Sequence, residues 1–324
     1  MITNDKRKGS IRKSLFPSAL LLLAVLLLAL ISPDAAAAGR ARTISAGSAG
    51  SWPAVSARAV IVMDVSSGKV LYSKHPHWKM RPASLTKLMT AAVVLEHDHI
   101  HREVIVPGAA LVGGSSMGLK AGEKLSIGQL LYGMLIPSGN DAATALAYAV
   151  GGTLPNFIRM MNAKARTLGM RESHFENPHG FDQPGHYTTA SDLLKLTRYL
   201  YSKYPLFRDI VSTKDILVAG HWLHNRNELL ETYPGVNGVK TGTTPGAGEC
   251  LIVSAVYGTR QVMIVILGSR DRYADARALL DYYRAHYLAS AAPSASSSAA
   301  RRRKSIGFSR RTLVTRSFVI PYPR

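Results

Sequence analysis

Apolar residues along this chain fall into three kinds of run, and each predicts a different element. The first, Ala19 to Ile31, is 13 residues without a charge. It follows Lys6, Arg7, Lys8, Arg12 and Lys13 and precedes Ala36-Ala37-Ala38-Gly39, the basic, apolar and small-residue parts of a secretory signal peptide. Export with cleavage after Ala38 is therefore expected, to a periplasmic or other extracytoplasmic compartment. A membrane span needs about 20 apolar residues, so retention as an anchor is the alternative, drawing on the flank from Leu15.

The second kind is the nearly unbroken apolar stretch of strand length. Ala59-Val60-Ile61-Val62-Met63 and Val70-Leu71-Tyr72 flank Ser66-Ser67-Gly68-Lys69, which reads as a hairpin tip. Cys250 to Tyr257 and Gln261 to Gly268 flank Gly258-Thr259-Arg260, a second hairpin. The third kind has helical spacing: the mostly apolar Leu88 to Glu96, then Leu154 to Leu168, Ser191 to Tyr204 and a terminal helix from Ala274 to Tyr287. This mixture predicts one α/β domain from Ala54 to Leu288, with helices packed on late strands. A Gly/Ala/Ser-rich lead-in occupies 39–53, a Ser/Ala linker 289–300 and a basic tail 301–324, and there is no internal repeat.

Charge needs dividing before it is interpreted. Of the formal +20, residues 1–38 carry +3 and residues 290–324 carry +8, which leaves +9 for the domain. A moderately basic domain suits an anionic polymer through long-range attraction. Nucleic acid is disfavoured, because no groove motif of alternating basic and aromatic residues occurs. In the tail, Arg310, Arg311 and Arg316 are mixed with Phe308, Leu313 and Phe318 without helical spacing, and Pro321 and Pro323 interrupt its end. A solvated extension is the first reading, and weak electrostatic contact with anionic lipid is the second.

Three short strings carry the candidate chemistry. In Ser84-Leu85-Thr86-Lys87, the spacing places both polar side chains on one helical face, at the start of the apolar Leu88 helix. A serine hydroxyl needs a partner that removes its proton, and a lysine in apolar surroundings loses its preference for the ammonium form. Two other Ser-x-x-Lys strings, at Ser10 and Ser66, open no buried helix. Ser138-Gly139-Asn140 lies at a break between two helical patterns, where its side chains either project into a cleft or cap the next helix. Lys240-Thr241-Gly242 leads into the late hairpin, and a lysine and a threonine beside a glycine on an edge strand suit an anionic ligand.

Together the strings resemble those of the low-molecular-weight penicillin-binding proteins, the serine-type D-alanyl-D-alanine carboxypeptidases of the bacterial cell wall. The resemblance continues through Pro82-Ala83-Ser84, Asn140-Asp141-Ala142-Ala143, Phe175-Glu176-Asn177-Pro178-His179-Gly180, Thr188-Thr189-Ala190-Ser191-Asp192 and Gly238-Val239-Lys240, about 230 residues in all. It implies the penicillin-binding/β-lactamase-like transpeptidase fold, an antiparallel sheet of about five strands flanked by helices, plus a mostly helical lobe. It also implies roles. Ser84 attacks the penultimate D-alanine carbonyl of a peptidoglycan stem peptide, Lys87 takes its proton, and Ser138 with Asn140 completes proton transfer and holds the amide. Lys240, Thr241 and Arg272 meet the terminal carboxylate, and the backbone N–H groups of Ser84 and Thr243 receive the oxyanion. No cofactor is implied, and β-lactam antibiotics are expected to acylate Ser84.

Other functions remain open at this point. A DD-endopeptidase would use the same residues on cross-links, although Asp141 favours the carboxypeptidase branch. Consistent with the endopeptidase, the segment after Leu288 has no room for the β-rich second domain and anchoring helix of several relatives. A β-lactamase would need a glutamate for deacylation, and no Glu-x-x-Leu-Asn surrounds Glu172 or Glu176. A non-catalytic peptidoglycan-binding scaffold would show a damaged motif, and none is damaged. His97-Asp98-His99-Ile100-His101 has no tetrahedral metal spacing and reads as a surface loop. Cys250, the single cysteine, reads as a core residue.

Overall fold

The computed structural model describes residues 51–288; the expected leader, linker and basic tail lie outside the described residues. The chain begins with strands β1 (Ala59–Asp64) and β2 (Lys69–Lys74), then a 3-10 turn, Ala83–Thr86, that runs directly into α1 (Lys87–His97). Short strands β3 (Glu103–Ile105) and β4 (Lys124–Ser126) bracket a loop, followed by α2 (Ile127–Leu135), α3 (Asn140–Gly151) and α4 (Leu154–Thr167). After α5 (Ala190–Lys203) and α6 (Pro205–Ser212) come the hairpin β5 (Asp215–Val218) and β6 (His221–His224) and one turn of α7 (Leu229–Thr232). Three long strands, β7 (Val236–Thr244), β8 (Gly248–Tyr257) and β9 (Arg260–Ser269), precede α8 (Arg272–Tyr283).

The main sheet has five strands in the order β2-β1-β9-β8-β7, every neighbour antiparallel. Its central strands are apolar at consecutive positions because both faces are covered. Ile61, Met63, Ile252, Met263 and Val265 face a large core shared with α1 to α6. Val60, Val62, Val253, Ile264 and Ile266 alternate to the other face, against Leu279, Leu280 and Tyr283 of α8. This arrangement leaves β7 on one edge with its strings free to meet the helical side.

Local chemistry sets the helix ends. Ser126 and Gln129 form a reciprocal capping box on α2, and Thr153 and Thr189 accept from the N–H groups of Asn156 and Asp192 at the starts of α4 and α5. Asp271 accepts from Tyr273 and Ala274 at the start of α8. That helix ends at Tyr283, short of the Tyr287 expected from its spacing, and continues as a wider turn, Arg284–Leu288. The wider turn keeps Tyr287 stacked on Tyr283 and Trp52 and packed against the core between the sheet and α8. Among the described residues, no helix is long and apolar enough to cross a membrane.

Candidate active site

The turn that carries Ser84 is held from two sides. Ala83 has a positive φ of 49°, a costly conformation for a residue with a Cβ, immediately before Ser84. Gly180 is packed on it: a Cβ there would lie 1.9 Å from the Ala83 carbonyl oxygen, and its own φ of +103° also requires glycine. The loop bearing Gly180 is fixed by the Thr90 hydroxyl, which donates to the Pro178 carbonyl at 2.6 Å. From the other side, the Thr86 hydroxyl donates to the Ala83 carbonyl and so accepts from His186 Nε2 at 2.9 Å. His186 Nδ1 accepts from the Glu176 N–H, and burial lowers this ring's pKa to about 4. It is therefore neutral near pH 7, with its proton on Nε2.

Lys87, the first residue of α1, is fully buried. Its Nζ lies 3.0 Å from Ser84 Oγ and donates to Asn140 Oδ1 at 2.7 Å and to the His179 carbonyl at 2.8 Å. Burial, followed by the nearby Lys240 charge, holds its pKa well below the ordinary value, against an opposing pull from Asp141. A neutral amine has two N–H groups and one lone pair. Both acceptors other than Ser84 are carbonyl oxygens that can only receive, so they take the two N–H groups and direct the lone pair at the serine.

Ser138 and Asn140 sit at the break between α2 and α3, as their sequence context predicts. Ser138 has φ 68°, and its buried Oγ has no partner among the described residues. Asn140 is oriented at both ends of its amide, with Nδ2 donating to the Gly113 carbonyl. Next to it, buried Asp141 accepts from the Ser116 hydroxyl and from the N–H groups of Met117, Gly118 and Leu119. This carboxylate gathers the loop bearing Ser115, whose carbonyl accepts from the Asn140 N–H.

On the opposite wall, Gly242 of β7 approaches so closely that a Cβ there would be 2.9 Å from the Ser84 nitrogen. A cavity of about 350 Å³ opens between the walls, lined among others by Ser84, Ser138, Thr241, Thr243, Arg226 and Arg272. Lys240 is buried and is not one of its lining residues; its Nζ donates to the Thr241 carbonyl at 3.0 Å. Burial, reinforced by Arg226 and Arg272, lowers its pKa to about 7.

The two cavity arginines differ. Arg272, placed near the carboxylate by resemblance, lines the cavity and donates to Glu249 Oε2, to the carbonyls of Gly242 and Cys250, and to Thr243 Oγ1. It is a brace between β7, β8 and α8. Arg226, which sequence reasoning missed, has a side chain without a hydrogen bond or ion pair among the described residues. Its backbone is pinned instead, with its N–H donating to the Ile136 carbonyl and its own carbonyl accepting from Tyr273 Oη. The polar triplet Asn225-Arg226-Asn227 between β6 and α7 was its signal.

Metal-capable side chains come together elsewhere among the described residues: Asp215, His224 and Glu231, all exposed. In the histidine-rich loop, the Asp98 carboxylate is taken by Arg102. Cys250 is buried in the core on β8, as expected.

A family model described as D-alanyl-D-alanine carboxypeptidase matches residues 46–271. The D-alanyl-D-alanine carboxypeptidase DacD of Salmonella typhimurium is 39% identical over 246 residues, which are 71% of this chain and 63% of that protein. This chain thus spans less than two thirds of that relative's length. The solved D-alanyl-D-alanine carboxypeptidase of Mycobacterium tuberculosis H37Rv is similar with a TM-score of 0.69 and 31% identity, over 74% of this chain and 95% of that one. The Streptomyces K15 DD-transpeptidase gives a TM-score of 0.67 and 31% identity, over 72% of this chain and 99% of that one. On the breadth of these matches, the chain belongs to the D-alanyl-D-alanine carboxypeptidase family.

Proposed function

We propose that the protein is an exported serine-type D-Ala-D-Ala carboxypeptidase that trims peptidoglycan stem peptides. The observation that carries this reading is the Lys87 amine, whose N–H groups have two fixed carbonyl acceptors and whose remaining direction is Ser84 Oγ. Ser84 Oγ bonds to the penultimate D-alanine carbonyl carbon as its proton passes to Lys87 Nζ. The resulting oxyanion lies between the N–H groups of Ser84 and Thr243, where one such donor is worth about 3 kcal/mol. The C–N bond then breaks, and the proton reaches the departing D-alanine amine through Ser138, whose hydroxyl has no competing partner among the described residues. Water, activated by the same lysine, releases the acyl group and restores Ser84. Arg226, with Thr241, Thr243 and the field of Lys240, receives the terminal carboxylate; Arg272 holds that wall in place.

The same acyl-enzyme can pass to an amine instead of water. The similarity to a protein described as a DD-transpeptidase, nearly all of whose chain is matched, favours keeping this second reading. Incubation with a stem pentapeptide, a cross-linked dimer and an amine acceptor separates the outcomes. Free D-alanine and a tetrapeptide acid are expected from the pentapeptide, with no turnover by Ser84→Ala. Aminolysis product alone would establish transfer, and cleavage of the dimer alone would establish an endopeptidase. β-Lactams are expected to acylate the same serine. The leader and basic tail support export and weak membrane contact by sequence alone; salt-dependent fractionation of a variant lacking 301–324 tests the contact.

A further inference from the structure

A second cavity, of about 640 Å³, is larger than the one beside Ser84 and shares no lining residue with it. Its rim carries Lys195 and Arg198 from α5 and Arg208 from α6, and no carboxylate lines it. Lys195, Arg198 and Ser202 recur at helical spacing, so one face of α5 supplies one wall. Val65 and Val256 add an apolar surface from the sheet side.

The charges in this groove are not equally available. Lys195 is paired with Asp192 at 2.8 Å and also donates to the Gly169 carbonyl. Arg208 spends one N–H group on the Tyr201 carbonyl. Arg198 has no hydrogen bond or ion pair among the described residues. Asn237, at the start of β7, also lines the wall. Two arginines lining one concavity that no carboxylate lines focus positive potential into it, and each guanidinium fork can take an oxyanion in two hydrogen bonds.

We propose that this groove is a second binding site for a ligand bearing at least two oxyanion groups, carboxylate or phosphate, held by Arg198 and Arg208 with its apolar part on Val65 and Val256. The site is separate from the catalytic cleft. Asn237, which lines this groove, and Gly242, which lines the cleft, are five residues apart on β7, at most about 17 Å at roughly 3.3 Å per residue. The inference holds whichever bond the cleft breaks.

Calorimetric titration of the intact protein with inorganic pyrophosphate and, separately, with a tri-glutamate peptide, at about 0.15 M salt, tests it. One saturable site for at least one probe is expected, and the probe that binds distinguishes phosphate from carboxylate. Arg198→Glu and Arg208→Glu should each weaken binding about tenfold or more, while Arg198→Lys keeps part of it. Arg166→Glu on the exposed side of α4, and Lys240→Gln in the cleft, should leave it unchanged. Should Arg208→Glu lower the melting temperature, Arg198→Glu decides alone, since Arg198 makes no bond within the described fold. Failure of both probes to saturate would overturn the proposal. So would equal weakening by Arg166→Glu, which marks general charge attraction, or by Lys240→Gln, which places the anion in the cleft.

Discussion

Two fully buried lysines, Lys87 on the helical wall and Lys240 on the sheet wall, show how neighbours divide one residue type between two tasks. Burial lowers the pKa of both. Lys87 is surrounded by acceptors that consume its N–H groups, so its neutral form has a lone pair directed at Ser84, as the proposed base requires. Lys240 has one carbonyl acceptor and two arginines acting on it, with a pKa of about 7. Its charge is therefore conditional near pH 7, and an anion in the cavity would favour the charged form. Burial alone predicts the shift in both cases; the count and kind of partners decides the role.

The largest effect that would break this division is at Lys87. Lys87→Met keeps a long unbranched chain in the same apolar site and removes the base, so kcat/KM for D-alanine release should fall by roughly 10²–10⁴. A similar loss in Lys240→Met would mean that the lysines are not differentiated. Next in size is the contrast between the arginines. Arg226→Gln should raise KM about tenfold or more with little change in kcat or melting temperature, because its side chain is free of the fold. Arg272→Gln should lower the melting temperature as well, since four groups lose a donor.

Smaller again is a pH effect with a defined sign. Below pH about 7, Lys240 is protonated in both folded and unfolded chains, and the folded state bears the full penalty of a buried ammonium. Between about 7 and the ordinary value of 10.5, the unfolded chain holds the proton and the folded one does not, so stability rises with pH. The melting-temperature advantage of Lys240→Met over the wild type should therefore be greatest near pH 6 and shrink toward pH 10. An advantage independent of pH would contradict the lowered pKa. The smallest effect is expected from Glu249→Gln, which keeps the shape but weakens the Arg272 brace, with a loss in kcat/KM of about threefold, on the order of 0.5–1 kcal/mol.

The polar strings and strand runs were legible because both follow local rules. Ser84 and Lys87 announce themselves by spacing at the head of an apolar helix, and β1, β2, β8 and β9 by apolar runs bounded by turn residues. What escaped the sequence acts through the main chain or across long separations. His179 contributes a carbonyl, which every residue possesses, and Gly180 matters only because Ala83 folds against it. Arg226 joins the cavity through a loop pinned to Ile136 and Tyr273, contacts that no periodicity encodes. Arg272 is picked out by its surroundings in sequence, while its bonds to Glu249, Gly242 and Thr243 are visible only once β7, β8 and α8 are side by side. Lys240 is legible by its string on an edge strand, while its burial and the nearness of Arg226 and Arg272 are visible only in the fold.

The central claim is that Ser84, served by Lys87, forms the acyl-enzyme. Brief exposure to benzylpenicillin followed by intact-mass measurement and peptide mapping tests it most directly. The account predicts one penicilloyl group per molecule, on Ser84, formed far more slowly in Lys87→Met and not at all in Ser84→Ala. An adduct on Ser138 or Ser66, or undiminished labelling in either variant, would contradict it.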